Sequence, residues 1–365
     1  MDKIATIILN YNGKGFLEKF LPSVIKYNDG YPVYVVDNNS NDQSVDFLKT
    51  IYPASIRCIE LEKNYGFCGG YNKAAEQIEA EYYVFMNSDI EVTEGWLKPL
   101  LSLMEKDKNI AACQPKLLDY NKKDYFEYAG AGGGFIDFLG YPFCRGRIFQ
   151  SIEIDYGQYD DTIPVFWASG ASMMIRSQIF RDLGGFDKDF FAHMEEIDLC
   201  WRIKSAGLDV VYNGESIVYH VGGGTLNQSN PYKTYLNFRN SLITLIKNDD
   251  LTMILWKVPV RLLLDMIASL KFLLMDTSKD ALAVLKADIH VMRRLIYYIK
   301  KRGANNKKNL NYQGIYKKMI VFSYYILHRR FFFNLRSIIP HHIVSSSKPF
   351  PEIHRKSQSK VYDNR

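Results

Sequence analysis

Val33-Tyr34-Val35-Val36-Asp37-Asn38-Asn39-Ser40 decides how the first third of the chain is read. Four apolar residues run without a spacer into four polar ones. A short apolar run bounded by turn formers is the pattern of a strand buried on both faces, and Asp-Asn-Asn-Ser is rich in turn chemistry. Upstream, residues 4–9 form a run of the same kind that ends in Asn10-Tyr11-Asn12. Between the two runs Phe16, Leu17, Phe20, Leu21, Val24 and Ile25 recur at helical spacing. Downstream, residues 56–61 give a third strand, a helix falls near residues 72–79, and residues 82–86 give a fourth strand that runs into Asn87-Ser88-Asp89. Strands alternating with helices predict βαβ units and an α/β fold with a mostly parallel sheet flanked by helices. Ligands bind at the carboxyl ends of such strands, which is where the polar clusters stand.

The composition agrees. With 365 residues, 47% hydrophobic and 24% charged, the chain can bury a sizeable core, and a disordered, collagenous or coiled-coil rod is excluded. Aromatic content is high, with 26 Tyr and 22 Phe, and the net charge is +6. Five cysteines with no C-x-x-C pair argue against a disulfide framework or structural zinc. Met1-Asp2-Lys3 and the short apolar run behind it do not make a signal peptide. No apolar run reaches the roughly 18 residues of a membrane span, so a cytoplasmic protein is expected.

Texture divides the chain into an α/β unit over 1–245, a helical, basic region over 246–340 and a polar tail over 341–365. Residues 116–165 read as irregular loops and short strands. Beyond 245, Leu251, Ile254, Leu255, Val258, Leu262, Met266, Leu270, Leu273 and Leu274 mark one helical face, with Lys257, Arg261 and Asp265 on another. Pro259 should kink or break this segment. Between Lys286 and Arg336 thirteen Lys and Arg face a single acid, Asp288, with aromatics interleaved. Such a segment suits peripheral attachment to an anionic membrane surface; a helical subdomain packed on the core is the plainer reading. No recognition motif accompanies the charge, so nucleic acid is not expected as a partner.

Three clusters carry chemistry. Asp37, at the end of the second strand, can accept hydrogen bonds from a ribose or a base, or simply cap a turn. After the first strand, Asn12-Gly13-Lys14-Gly15 lacks the third glycine of a dinucleotide fingerprint, and there is no Walker loop. Phosphate charge would then fall to a divalent cation, Mg²⁺ or Mn²⁺, held by carboxylates such as Asp89 together with substrate phosphates. Glu195, Glu196 and Asp198 crowd at a helix start within an aromatic frame. The helix dipole favours acids there, and crowding can also raise one carboxyl into the range of a general base. His220 precedes a glycine run. Trp167 could stack on a sugar ring or sit in the core.

Taken in order, these segments resemble the family 2 glycosyltransferases of GT-A fold, most of all the bacterial rhamnosyltransferase-like branch. The matching pieces run from Ile7-Ile8-Leu9-Asn10-Tyr11-Asn12 through Val35-Val36-Asp37-Asn38-Asn39-Ser40, Asn64-Tyr65-Gly66-Phe67-Cys68-Gly69-Gly70-Tyr71-Asn72, Asn87-Ser88-Asp89-Ile90-Glu91-Val92, Ser169-Gly170-Ala171, Gly184-Gly185-Phe186-Asp187 and Glu195-Glu196-Ile197-Asp198-Leu199-Cys200-Trp201-Arg202 to His220. They cover roughly residues 3–240.

The resemblance implies a Rossmann-like GT-A domain with a mainly helical C-terminal extension. It implies inverting transfer from a nucleotide sugar, dTDP- or UDP-linked, to a glycan or polyprenyl-diphosphate-linked acceptor in bacterial surface polysaccharide assembly at the inner face of the cell membrane. Asn10, Tyr11, Asn12, Asp37, Asn64, Gly66, Asn72, Asn87 and Ser88 would line the donor pocket. The metal motif falls on Asn87-Ser88-Asp89, where Asn replaces the first Asp and leaves Asp89 as the main ligand, with His220 as a second. Glu196 matches the catalytic base, Glu195 and Asp198 are alternates, and Trp167 and Gly170 would face the acceptor or sugar. The Asn and the Glu-for-Asp departures also leave open a catalytically weak glycan-binding or scaffold protein. A nucleotidyltransferase is a poorer match, because Gly13-Lys14-Gly15 is a meagre basic loop.

Overall fold

The computed structural model describes residues 1–222, 230–275, 277–302 and 313–335. The last two glycines of the run after His220, the bases Lys307, Lys308 and Arg336, and the tail over 341–365 lie outside the described residues.

The first elements are β1 (Asp2–Asn10), α1 (Lys14–Tyr27), β2 (Val33–Asp37), α2 (Ser44–Ile51), β3 (Arg57–Glu60), α3 (Gly66–Gln77), β4 (Ala80–Asn87), β5 (Ile90–Val92), α4 (Leu97–Lys106) and β6 (Ile110–Asp119). β3, β2, β1 and β4 lie side by side, all parallel. The register sets Asn10 beside Asp37 and Leu9 beside Asn87, so the polar clusters leave the sheet at one edge. Alternate residues feed opposite layers. Ala5, Ile7, Val36 and Phe85 enter one core, and Ile4, Ile8, Val35 and Met86 enter the other. Helices cover both faces, which is why these strands are continuously apolar. α3 begins at Gly66, six residues before the expected helix near 72. Asn64 Oδ1 accepts the Gly66 N–H at 2.8 Å, so most of the 64–72 segment belongs to the start of this helix.

β7 (Gly134–Asp137), β8 (Pro142–Cys144), β9 (Arg147–Ile148), β10 (Ser151–Ile152), β11 (Thr162–Val165), β12 (Ser172–Arg176), α5 (Ser177–Asp182), α6 (Glu195–Ser205) and β13 (Asp209–His220) follow. β12 inserts antiparallel between β4 and β6, which makes the large sheet mixed, in the order β11-β13-β6-β12-β4-β1-β2-β3 with β5 on β13. Trp167 belongs to the core. It is 4% exposed, its Nε1 donates to the Phe135 carbonyl at 2.8 Å, and a Cβ on Gly134 would lie 2.2 Å from the indole. It has no face left for a sugar.

The C-terminal part is α7 (Pro231–Asn248), α8 (Leu251–Met275), α9 (Ser278–Arg293), α10 (Leu295–Lys300), β14 (Ile315–Tyr316) and α11 (Ile320–Tyr325). It is built into the molecule. β14 pairs with β7 and extends the small sheet β10-β9-β8-β7-β14, while Phe332 and Leu335 enter the core. α8 runs unbroken through Pro259, whose outward position leaves the unbonded carbonyl of the preceding turn to solvent.

Its amphipathicity is inverted. Lys257, Arg261, Asp265 and Ser269 are buried, and most of the leucines face outward. Arg261 donates to the Leu139 carbonyl and Ser241 and covers the Tyr141 ring, and Asp265 accepts from the Tyr141 hydroxyl. The polar stripe is therefore held by partners inside the protein, although Arg261 Nε and Asp265 Oδ2 stay buried without one.

Lys247, near the end of α7, is also buried. Its Nζ lies 2.6 Å from Asp187 and 2.8 Å from Asp198. Removing one member of a buried ion pair typically costs about 3–5 kcal/mol. Lys247→Ala is expected to destabilise the protein by about that amount, read from the midpoint shift in urea unfolding.

Candidate active site

The donor-side residues assemble as a hydrogen-bonded rim. Asp37 is buried and takes Asn10 Nδ2 at 3.0 Å and the Ser40 N–H at 2.8 Å. Ser40 Oγ accepts from Asn10 Nδ2 and the Asn12 N–H, and Asn12 Oδ1 accepts the Asn41 N–H. Asn10 Oδ1 is left buried without a partner. It lies 2.5 Å from where a Cβ on Gly13 would stand, so only glycine fits there. Ser88 faces the same glycine, and Tyr11 projects 43% exposed at the mouth.

Asn38 joins this rim to α3. It donates to Asn64 Oδ1 and the Gly66 carbonyl and accepts the Tyr65 N–H. The first amides of α3 are already occupied, because Phe67 and Cys68 N–H both point at the Phe191 carbonyl. Asn72 is committed elsewhere, accepting from Phe186 N–H and donating to the Phe186 carbonyl. Asn64, Gly66 and Asn72 therefore hold the frame of the pocket in position.

At the other end of the same sheet edge, Asp89 and His220 meet. Strand pairing sets His220 beside Ile90, and Val221 N–H donates to the Asp89 carbonyl. His220 Nε2 is 3.1 Å from Asp89 Oδ1 and 3.3 Å from Asn87 Nδ2, while Nδ1 is 3.3 Å from Glu127 Oε1. Burial alone would lower the imidazole; the two carboxylates reverse this and push it up to about 10. Burial would raise Asp89, but the charge of His220 and its hydrogen bond hold it below the ordinary carboxylate value. Glu127 is the member that sequence reasoning missed. It sits among aromatics and glycines in Phe126-Glu127-Tyr128-Ala129-Gly130, with nothing local to mark it.

The acidic pair stands apart, at the start of α6. Glu195 and Glu196 each have a buried Oε2 without a hydrogen-bond partner. Burial, and for Glu195 also the charge of Glu196, pushes both carboxyls up, Glu196 to about 7. Glu196 is the more accessible of the two. Its Cβ lies 3.7 Å from where one on Gly170 would be, so the Ser169-Gly170 turn forms the adjoining wall.

Asp198 is not part of this pair. Its carboxylate is taken by Arg202, Lys247 and Asn248. Burial is outweighed by the two cations, which hold it below its usual value. A carboxylate so engaged has no free lone pair for an incoming proton, so the structure removes Asp198 as an alternate base.

The segment before Glu195 is strained and clamped. Phe191, His193 and Met194 have φ of 64°, 68° and 74°, and left-handed non-glycine residues cost of order 1–3 kcal/mol each. α7 holds them there. Asn240 Nδ2 donates to the carbonyls of Phe190, Ala192 and His193 at 3.0, 2.8 and 2.7 Å, and Arg239 to those of Asp189 and Phe190. His193 itself is neutral, because burial and the charge of Lys233 push it down to about 4.

The polar strand ends, the carboxylate–histidine couple and the acidic pair at the start of α6 are the groups a transferase could draw on. Residues 6–184 match Glycosyl transferase family 2, and the chain carries a glycosyltransferase domain of that family. It is 23% identical over 254 residues to the low-salt glycan biosynthesis hexosyltransferase Agl10 of Haloferax volcanii, covering 67% of this chain and 75% of that protein. It is 25% identical over 238 residues to N-acetylglucosaminyl-diphospho-decaprenol L-rhamnosyltransferase of Mycobacterium tuberculosis, covering 60% and 76%. The crystal structure of GalNAc-T7 with UDP, GalNAc and Mn²⁺ superposes with a TM-score of 0.52 at 16% identity, covering 68% of this chain and 48% of that one. The fold is thus GT-A.

Asn240→Ala leaves three buried carbonyls short of a donor. Amide hydrogen exchange over residues 190–194 is expected to accelerate, with global stability falling by roughly 1–3 kcal/mol.

Proposed function

We propose that the protein is an inverting transferase that moves a hexosyl or deoxyhexosyl group from a dTDP- or UDP-linked donor to a hydroxyl of a lipid-linked glycan in surface polysaccharide assembly. The observation that carries the reading is the Glu195–Glu196 pair, each with a buried Oε2 that has no hydrogen-bond partner, with Glu196 beside Gly170. The names of the two relatives, a hexosyltransferase and an L-rhamnosyltransferase acting on a diphospho-decaprenol, support the donor and acceptor classes.

The geometry supports the following roles. Asn10, Asp37 and Ser40 form a fixed acceptor and donor array suited to a nucleoside, with Tyr11 free to cover it. Glu196 takes the proton from the acceptor hydroxyl. The acceptor oxygen bonds to the anomeric carbon as the carbon–oxygen bond to the diphosphate breaks, and the diphosphate leaves with the electron pair. Inversion requires Glu196 to bring the acceptor oxygen to the face of the anomeric carbon opposite the diphosphate.

Asp89 would be the main ligand of a divalent cation. His220, paired with Asp89 at 3.1 Å and pushed up to about 10, would join it only after giving up its proton. Among the described residues no group of three or more such side chains is arranged to hold an ion alone, as suits a cation that also binds substrate phosphates. When bound, Mg²⁺ or Mn²⁺ supplies charge neutralisation for the departing diphosphate. Glu127 stands behind His220 and fixes the ring so that Nε2 faces Asp89.

Two outcomes test this reading. A base pushed up to about 7 must lose its proton before it can act, so transfer should rise with pH between roughly 6 and 8. Glu196→Gln should lower turnover about 10²–10⁴-fold while donor binding, read by thermal shift, survives. Near-normal turnover in that variant would remove Glu196 as the base. Separately, Glu127→Gln should weaken Mn²⁺ binding about 10–100-fold in an electron paramagnetic resonance titration; unchanged affinity would deny Glu127 its orienting role.

A further inference from the structure

We infer that the outer face of α8 and α9 inserts among the acyl chains of an anionic lipid monolayer, holding the enzyme as an in-plane membrane protein. This deepens the lipid-linked acceptor reading above and rests on its own observations. Helices on a water-soluble protein put charge outward and leucine inward. α8 does the reverse. Leu255 and Leu274 are 75% and 74% exposed, Leu263, Ile267 and Leu270 are each more than half exposed, and the buried stripe is Lys257, Arg261, Asp265 and Ser269. Among the exposed residues of α8 only Thr252 and Lys271 are polar.

The apolar surface continues beyond α8. Leu282, Leu285, Ile289 and Met292 form an exposed stripe on the neighbouring α9, and Ile296 on α10 is 71% exposed. Lys271 Nζ lies 5.1 Å from the Tyr325 ring, which brings α11 and its exposed Phe322 to the same end. Contiguous apolar surface of this kind marks a site of interaction with protein or lipid.

Charge selects the occupant. Among the described residues of 251–302 the exposed charged side chains are Lys271, Lys279, Lys286, Arg293, Arg294 and Lys300. The acids Asp265 and Asp288 are buried, and Asp280 is engaged by Thr234 and Thr277. Among the described residues of 251–302 the apolar strip is bordered by exposed cations, with the exposed Asp250 just before α8, and such a border matches acyl chains beneath anionic headgroups. Pairing with a second copy about a twofold axis would set like charges against one another. No helix among the described residues is long and apolar enough to cross a membrane, so α8 lies in the surface.

Trp256 supplies a reporter. Of the four tryptophans, Trp96, Trp167 and Trp201 are buried, and Trp256 on α8 is 41% exposed. The full chain is mixed with vesicles of phosphatidylglycerol and phosphatidylcholine. The expected result is flotation with the vesicles, a blue shift of the Trp256 emission, quenching by brominated acyl chains, and persistence in about 1 M salt, where screening is nearly complete. Trp256→Phe should keep flotation and lose the shift. The exposed double variant Ile267→Glu/Leu270→Glu should lower the bound fraction at least tenfold while donor binding by thermal shift is unchanged.

Binding without quenching that is abolished by salt would replace insertion with surface electrostatics. Absence of vesicle binding, together with a dimer in solution that the double variant dissociates, would assign the face to a second copy. Loss of transfer to every lipid-linked acceptor with insertion intact would overturn the transfer reading and leave this one standing.

Discussion

The buried ammonium of Lys247, held between Asp187 and Asp198, is the contact on which the catalytic end of the molecule depends. Asp198 is on α6, three residues beyond the first glutamate of the acidic pair, so the contact fixes where that helix starts. Asp187 precedes the strained segment, and it is also paired with Lys301, which reaches Asp189 as well. Burial would raise Asp187, but the two lysines hold its carboxyl far below the usual range. One cation on α7 and one beyond α10 thereby tie the C-terminal helices to both sides of the loop that carries Phe191, His193 and Met194. The chain beyond residue 231 thus completes the site, and a cut near 245 would remove Lys247 itself.

Two electrostatic arrangements stand in contrast. Around His220 the charges are matched, carboxylate against imidazole on both sides of the ring. Around Glu195 and Glu196 nothing is matched, and burial raises both. The difference lies in where each strand or helix ends. β13 delivers His220 between the β4–β5 turn and Glu127, whereas α6 begins with two acids, and Arg202 and Lys247 pair with Asp198 instead. Titratable groups pushed apart in this way are a mark of sites that could serve chemistry.

The strands and the edge on which ligands gather were legible because both depend on local pattern: continuous apolar runs, polar residues directly after them, helical spacing between. The acidic pair and the Asp89–His220 couple were legible for the same reason, each standing at an element end. Other features depend on partners far away in sequence and were not. Nothing near Asp198 announces Lys247. Trp167 looks like a stacking residue until Gly134 and Phe135 are seen to enclose it. Glu127 needs His220 to have meaning. The hydrophobic stripe of α8 was visible, but its direction was not, because a helical period gives two faces without saying which is inward; Tyr141, Leu139 and Ser241 decide that by bonding to Arg261 and Asp265.

The small sheet has a temporal consequence. β7 waits for β14, with Ile136 paired to Ile315 across about half the length of the chain. Asp137 likewise receives the Ile320 N–H, and Glu153 the Phe332 N–H. At ribosomal rates the interval between synthesis of the two strands is on the order of ten seconds. During that time β7 presents an open edge and two buried-to-be carboxylates lack their donors. A nascent chain of this protein is therefore most vulnerable to mispairing while its own C-terminal third is still being made, and it is in that window that a chaperone would have something to hold.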